Sequence, residues 1–321
     1  MGKLFLAITI KIDITTAMQY IAMNHVAWIT GQDCDCHGER MNTIDIGEYK
    51  ITCVRDTEFA LDASTLFHMI PRVLWEKKIV PDELHRVFIG LNCLLIRGRG
   101  RTILYDAGVG NKLPEKLRKI HGLNDSVSLM QSLARTGVSP EDIDTVVLSH
   151  LHFDHAGWST IKDSNGNPVP AFPNAGYIVQ NDEWKAACNP SELNQGSYLK
   201  DDFLPLEKND CLRLVDGDTG LNTDIRLMHT PGHSPGHQCL LIKSGNDTLF
   251  CPCELIPSVW HLRTSWATCY DDDAHAVVRW KKELMARAAA EHWTVFLSHD
   301  PAHAFGRLTS LSEKEYGWES F

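Results

Sequence analysis

The sequence predicts an α/β fold in which two β-sheets lie between outer helices. Short apolar runs with strand character recur along its 321 residues, for example at 146–148 and 225–228, and stretches with the apolar spacing of a helix separate them. The chain is 43% apolar, enough for a large core, and no internal repeat or low-complexity linker divides it. We therefore expect one domain, which takes up residues 41–321.

The first forty residues differ from the rest. Residues 4–10 are mostly apolar, but Lys11 and Asp13 interrupt the run before it reaches a membrane-spanning length or a convincing export signal. Three interpretations stay open for residues 1–40: an upstream start assigned in place of Met41, a weak export or membrane-association segment, or an added packing element. We favour the first, then the third, and treat residues 1–40 as an N-terminal extension.

The strands and helices of the domain follow in order. Residues 44–54 and 93–96 have strand character, and residues 101–105 form a strand that enters a glycine loop at Asp106. Residues 126–135 form an amphipathic helix capped by Asn124 or Asp125 and closed by Gly137. Residues 273–291 carry apolar side chains at helical spacing behind a run of aspartates, which suits the positive N-terminus of a helix. We expect this helix to pack on a sheet.

Four metal-ligand side chains occupy six positions directly after the apolar run at 146–148: His150, His152, Asp154 and His155. Residues two apart on a strand face the same way, so His150 and His152 are placed to bind one ion, and Asp154 and His155, past the strand end, another. Imidazole nitrogen and carboxylate oxygen suit zinc, with Mn, Fe or Co as alternatives. A histidine-rich surface loop is the other interpretation, and this ligand density beside a strand disfavours it.

Further histidines follow later strands. His233 lies in a turn rich in Gly and Pro, where the backbone can hold a side chain out from a strand edge. His229 and His237, four residues away on either side, are more typical of supporting or packing histidines. His299 ends the apolar run at 295–298 and is a candidate ligand because it is one more histidine at a strand end.

With the pattern H-x-H-x-D-H intact at 150–155, the chain resembles the metallo-β-lactamase superfamily. The phrase HLHFDHAG and residues 172–178, 182–184 and 254–257 are most similar to quorum-quenching N-acyl-homoserine lactone lactonases. The resemblance covers approximately residues 42–305. It implies a four-layer αββα sandwich and a binuclear metal-dependent hydrolase, in which hydroxide held between two divalent ions attacks the carbonyl carbon of a lactone ring.

The resemblance also implies roles for individual residues. His150, His152 and His233 would bind the first metal, and Asp154, His155 and His299 the second. Glu254 would bind both, and Asp154 would also pass a proton to the leaving oxygen. For Tyr270 two interpretations stay open: a hydrogen-bond donor to the substrate, or a buried structural tyrosine, which we favour.

One residue departs from the family pattern. Glu254 stands where the family usually has an aspartate, and its extra methylene moves the carboxylate by about one carbon–carbon bond. Cys251 and Cys253 lie close enough in sequence to offer a thiolate instead, which we rank lower because the other ligands are imidazoles and oxygens. Asp106 resembles a family aspartate that supports the histidine loop through hydrogen bonds, but a simple turn former before glycine has equal weight.

The composition limits the binding partners and the cellular compartment that we expect for the protein. The net charge of −10 argues against a nucleic-acid surface, which needs clustered Lys and Arg. Ten cysteines lack the spacing of a disulfide scaffold and are typical of a reducing cytoplasm. We expect a small ester or lactone as the partner, with no membrane partner and with a homodimer left open.

The sequence predicts the substrate less clearly than it predicts the metal ligands. Residues 66–75 suggest a lid over an acyl chain, although core packing explains them nearly as well, and Trp260, His261 and Trp266 are candidates for a pocket wall. Two other functions stay open: a phosphotriesterase-like or thioester hydrolase on the same metals, and a metal-retaining binding or sensor protein with weak turnover.

Overall fold

The computed structural model describes residues 42–123 and 127–321. A first sheet has seven strands: β1 (Thr43–Ile46), β2 (Tyr49–Asp62), β3 (Arg86–Gly98), β4 (Arg101–Tyr105), β5 (Thr145–Val147), β8 (Gly176–Gln180) and β9 (Leu212–Val215). They pair in that order, antiparallel as far as β4 and parallel beyond it. Two short strands, β6 (Thr160–Lys162) and β7 (Pro168–Pro170), pair separately.

The second sheet also has seven strands: β10 (Thr219–Gly220), β11 (Ile225–His229), β12 (Gln238–Ser244), β13 (Asp247–Cys251), β14 (Thr294–Phe296), β15 (Phe305–Ser312) and β16 (Glu315–Ser320). They pair in chain order, and only β13 and β14 run parallel to each other.

Eight α-helices lie among the described residues, and the longer ones pack on the outer faces of the two sheets. The eight are α1 (Ala63–Leu66), α2 (Arg72–Trp75), α3 (Glu115–Ile120), α4 (Leu129–Arg135), α5 (Phe153–Ala156), α6 (Asn181–Cys188), α7 (Lys200–Lys208) and α8 (Ala274–Ala290). Among the described residues, no helix has the length and apolar character needed to cross a bilayer.

Three apolar clusters account for the layers. Alternate side chains of each strand point to opposite faces, so Leu94 packs between the two sheets while Cys93 and Leu95 pack under the helices of the first sheet. On the far side, α8 buries Val277 and Leu284 against the second sheet. Helices, sheet, sheet and helix therefore stack in four layers, and the predicted αββα sandwich is confirmed.

Local boundaries differ from the predictions in two places. The predicted strand at 44–54 is a hairpin, because Gly47 at φ +55° turns the chain between β1 and β2. The predicted helix at 126–135 begins at Leu129, where Ser128 forms a capping box with Gln131. Residues 1–41 and 124–126, including the proposed caps Asn124 and Asp125, lie outside the described residues, so the domain boundary at residue 41 stays a prediction. The predicted helix at 273–291 is confirmed as α8, capped by Asp273.

Candidate metal centre and substrate cavity

The histidine motif lies in a loop and a short helix, not on a strand. Strand β5 ends at Val147, so the prediction that His150 and His152 share a strand face was wrong. His150 lies in the following loop, His152 caps α5, and Asp154 and His155 are within α5. The loop still turns the four side chains toward one cavity, which they all line.

His150, His152 and His233 form a first group, whose candidate ligand atoms lie within 4.8 Å of one another. His233 Nε2 is 3.1 Å from His152 Nδ1, while His150 Nε2 is buried without a hydrogen-bond partner. Two nitrogens bound to one tetrahedral zinc would be about 3.3 Å apart. Burial, reinforced by the neighbouring imidazoles, lowers the pKa of His150 and His152 well below the usual value and keeps them in the neutral form that binds metals. The group therefore fits a cation.

Asp154, His155 and His299 form a second group, also within 4.8 Å. The Nε2 atoms of His155 and His299 are 3.0 Å apart, and Asp154 Oδ2 lies 3.7 Å and 3.8 Å from them. His299 Nδ1 donates to the Gly90 carbonyl at 3.0 Å, which leaves its Nε2 facing the group. This group adds a carboxylate to its imidazoles, and it fits a divalent cation as well.

Glu254 lies against the second group. It belongs to a single helical turn directly after β13, and its Oε1 is 2.6 Å from His299 Nε2 and 3.2 Å from His155 Nε2. Burial alone would raise the pKa of Glu254, but His299 and His155 outweigh it and hold the pKa well below its usual range. The structure thus brings all seven predicted ligands to one place; we call them the floor of the cavity: His150, His152, Asp154, His155, His233, Glu254 and His299.

Carboxylates behind the floor orient two of its histidines. Asp106 accepts from His155 Nδ1 at 3.0 Å and from the Ser149 backbone and hydroxyl, which are the hydrogen bonds that the resemblance implied. Asp271 lies 2.8 Å from His233 Nδ1 and accepts from the Thr268 backbone. Each carboxylate fixes the histidine tautomer, so that Nε2 is free to face the cavity. Sequence reasoning missed Asp271, and its place beside Tyr270 was the only available signal.

Glu183 ties the two histidine loops together and was also missed, although it lies in a stretch that carried the resemblance. Its buried carboxylate accepts from the Leu151 backbone at 2.9 Å, from the Ser234 hydroxyl at 2.6 Å and from the Gly236 backbone at 3.1 Å. A Cβ on Gly236 would lie 2.2 Å from the Glu183 backbone nitrogen, so only glycine allows this approach.

The other candidate metal ligands near the floor, His237, Cys253 and Cys251, lie behind it. His237 is buried, donates through Nδ1 to the Thr230 carbonyl at 3.2 Å and accepts from the Glu254 backbone at 3.3 Å. Burial lowers its pKa to about 3. Cys253 Sγ lies 3.8 Å from His155 Nδ1, the nitrogen that is already paired with Asp106, and burial raises its thiol pKa to about 12. This protonated thiol is a weaker candidate than the Glu254 carboxylate. Cys251 packs between the sheets.

A cavity that is open to solvent lies over the floor. We call its other lining residues the wall. The apolar side of the wall is formed by Phe59, Leu61, Leu66, Ile89 and Phe153. Strands β2 and β3 continue past a bulge between Arg55 and Glu58, and this extension supplies the first part of the apolar side. Polar side chains, including His121, His261 and Tyr270, complete the wall.

Several residues that were predicted to line the substrate pocket lie elsewhere. Trp260 and Trp266 are buried in the aromatic cluster behind the wall, where Trp266 packs edge-on against Phe67 at 5.6 Å. Of residues 66–75, Leu66 lines the cavity, Phe67 and Trp75 are core residues, and Met69 and Val73 are exposed. Tyr270 is not a buried structural tyrosine: it is 38% exposed, and its hydroxyl bonds Thr65 Oγ1 at 2.9 Å.

The chain is similar to a known family and to several known proteins. The model of the family described as "Metallo-beta-lactamase superfamily" matches residues 88–299. The chain belongs to the metallo-beta-lactamase superfamily. An N-acyl homoserine lactonase of a Bacillus species is 32% identical over 239 residues, which cover 69% of this chain and 85% of the relative. For the Bacillus cereus lactonase, 33% identical, the chain spans 60% of the relative's length.

Solved structures agree with the metallo-beta-lactamase assignment. A probable metal-dependent hydrolase from Staphylococcus aureus has a TM-score of 0.79 at 25% identity and covers 87% of this chain and 99% of its own. AidC, a dizinc quorum-quenching lactonase, shares the fold with a TM-score of 0.72 at 24% identity, over 88% and 98% of the two chains. The predicted family, and the prediction of a lactonase-like metal-dependent hydrolase, are confirmed.

Proposed function

We propose that this metallo-beta-lactamase superfamily hydrolase opens the ring of N-acyl-homoserine lactones and uses two divalent ions, with zinc as the favoured metal. The observation that carries the proposal is the convergence of two three-residue groups and Glu254 at the bottom of a partly apolar cavity. The N-acyl homoserine lactonases among its relatives support the lactone substrate.

The floor residues supply the ligands. His150, His152 and His233 would hold one ion, Asp154, His155 and His299 the other, and Glu254 would contact both. Divalent ions held there would lower the pKa of water and stabilise negative charge on a substrate oxygen. Asp154 in the second group and Glu254 beside it would balance part of the added positive charge.

Asp154 is the floor residue best placed to move a proton. Hydrolysis of a lactone adds water across the bond between the carbonyl carbon and the ring oxygen: the hydroxyl goes to carbon, and a proton must reach the ring oxygen as that bond breaks. The Asp154 side chain is 16% exposed and faces the cavity, whereas the Glu254 side chain is 8% exposed and lies against two imidazoles. Asp154 therefore passes the proton and leaves Glu254 as a ligand.

The wall favours an acyl lactone over a phosphotriester. A lactone needs one position for the carbonyl oxygen and a groove for its tail, whereas a phosphotriester has three substituents around phosphorus. Phe59, Leu61, Leu66 and Ile89 lie on one side of the cavity, as a groove for one chain requires. A thioester hydrolase and a metal-retaining sensor protein are the remaining alternatives.

A substrate panel on metal-loaded protein tests the proposal. We expect kcat/KM for medium- and long-chain N-acyl-homoserine lactones, followed by proton release on ring opening, to exceed kcat/KM for aryl phosphotriesters and acyl thioesters. Faster turnover of a phosphotriester or thioester than of every lactone would replace the proposed substrate. Full metal content with no turnover of any substrate would favour the sensor protein.

We also infer that the chain works in a reducing compartment, the cytoplasm, and that its domain begins near Met41. All eight cysteines among the described residues are free, and four of them are buried. All floor residues lie downstream of residue 41. A chain that starts at Met41 should keep the metal content and melting temperature of the full chain. Aggregation or loss of metal would show that residues 1–40 belong to the domain.

A further inference from the structure

His121 is a polar residue on the apolar side of the wall, and the reaction described above leaves it without a role. It directly follows α3, and its ring stacks on Phe59 with 4.3 Å between centroids and 23° between planes. On another side it contacts Phe153 at 5.8 Å, the residue between His152 and Asp154 in the chain. Packing against two aromatic rings holds the imidazole in one orientation at the cavity surface.

Hydrogen bonds to β2 fix the tautomer of His121. Its Nδ1 lies 3.2 Å from the Ala60 carbonyl, which can only accept, so Nδ1 carries the proton. The Ala60 backbone donates in return to the His121 carbonyl at 2.7 Å. Burial lowers the pKa of His121, which favours the neutral ring.

A neutral ring protonated at Nδ1 leaves Nε2 as an acceptor. No residue among those that the structure describes donates to it, and His121 lines the cavity. An acceptor on a ring that packs against Phe59 and Phe153 loses free energy if a bound ligand covers it without donating a hydrogen. A well-matched ligand therefore brings an N–H or O–H group to this point.

This requirement distinguishes between classes of lactone. The ring and the carbonyl groups of a lactone offer only acceptors, which Nε2 cannot use. An α-amido lactone, such as an N-acyl-homoserine lactone, has one donor, the amide N–H beside the ring. A lactone that carries only an alkyl chain has none.

We propose that His121 Nε2 accepts a hydrogen bond from the amide N–H of the substrate and thereby selects α-amido lactones over alkyl lactones. This inference rests on the proposed lactonase function and narrows its substrate class. His121 is a specificity-determining residue here: it contacts the substrate away from the reacting bond.

The test compares two substrates on three proteins with full metal content. The substrates are N-hexanoyl-homoserine lactone and α-heptyl-γ-butyrolactone, in which methylenes replace the amide. His121→Phe keeps the stacking on Phe59 and removes the acceptor, and His121→Gln restores an acceptor oxygen. His275→Phe, at an exposed position on α8, is the matched control.

We expect His121→Phe to lower the ratio of kcat/KM for the amide lactone to that for the alkyl lactone about 3- to 10-fold, the usual effect of one neutral hydrogen bond. His121→Gln should recover part of the ratio, and His275→Phe should leave it unchanged. Calorimetry with the ring-opened product N-hexanoyl-homoserine, which keeps the amide, should show weaker binding to His121→Phe at unchanged metal content.

Two failures are distinguishable. If the wild-type protein opens both lactones and His121→Phe leaves the ratio and product binding unchanged, the role of His121 is wrong and the lactonase proposal stands. If the metal-loaded wild-type protein opens neither lactone, the proposed function and this inference fall together.

Discussion

The floor and the wall of the cavity are built in different ways. Every floor histidine is buried, and hydrogen bonds from behind fix the orientation of several, such as those of Asp106 to His155 and of Asp271 to His233. The wall is assembled from separate segments and has exposed members, such as Tyr270. The floor therefore fixes the chemistry, and the wall can vary among relatives without disturbing it. Changes in the floor should alter metal content and activity together, and changes in the wall should alter activity alone.

The largest effect is expected from loss of a floor ligand. His152→Ala or Asp154→Ala leaves an open coordination position and an unbalanced charge, so both metal content and activity should fall, activity by more than about 100-fold. His229→Ala is the control: the His229 ring bonds the Pro235 carbonyl outside the floor, so this variant should keep both metal content and activity. Elemental analysis and turnover provide the readout. A folded, active wild-type protein without metal would refute the whole site.

Glu254 provides the next test, since its charge and its length can be separated. Glu254→Gln removes a charge beside two imidazoles and should cost much of the activity and metal affinity. Glu254→Asp keeps the charge and restores the family's shorter arm, so its effect should be milder and turnover could rise. Near-wild-type rates for both variants would show that Glu254 is not a ligand, and Cys253 would then need the same test.

The residues behind the floor should have intermediate effects. Asp271→Asn weakens the support of His233 and should lower metal affinity about 10- to 100-fold, measured by competition with a chelator. Asp272→Asn is a matched control one position away, since its side chain is exposed and bonds Asn194. Equal metal affinity in the two variants would contradict an orienting role for Asp271.

His261, a buried histidine of the wall, should make the stability of the protein depend on pH. Burial, reinforced by Lys281, lowers its pKa to about 4. Because the unfolded chain binds this proton more readily, the free energy of unfolding should fall as pH drops below about 6.5, by roughly 2 kcal/mol at pH 5 from this residue. In His261→Asn, urea unfolding at pH 7.5 and pH 5.0 should show a loss smaller by that amount. An unchanged loss would mean that His261 does not titrate this way.

Tyr270→Phe should have the smallest effect. The Tyr270 hydroxyl already bonds Thr65, so its removal costs at most one hydrogen bond to the substrate, about 10-fold or less in kcat/KM. Metal content should stay at the wild-type level. A loss of metal in this variant would contradict the separation of floor from wall.

The same contrast explains what the sequence could predict. Four floor residues fall within six positions after a strand, and this local pattern survives the error about where β5 ends, because the loop keeps the spacing. Wall residues such as Phe59, Leu66 and His121 are far apart in the chain. They meet only because β2 and β3 extend past a bulge and because α3 returns to that extension. Such tertiary contacts leave no periodic signal, so Trp260 and Trp266 were placed on the wall wrongly.

The floor residues are also synthesised at different times. The Nε2 atoms of His155 and His299 are 3.0 Å apart, yet the two residues are 144 positions apart in the chain. At a synthesis rate of about 5–20 residues per second, the ribosome makes His299 roughly 7–30 s after His155. Until residue 254 has been made, the nascent chain displays His150, His152 and Asp154 without Glu254, and throughout the interval it lacks His299. We therefore expect the second ion to bind only after translation has passed β14, once the two sheets have docked.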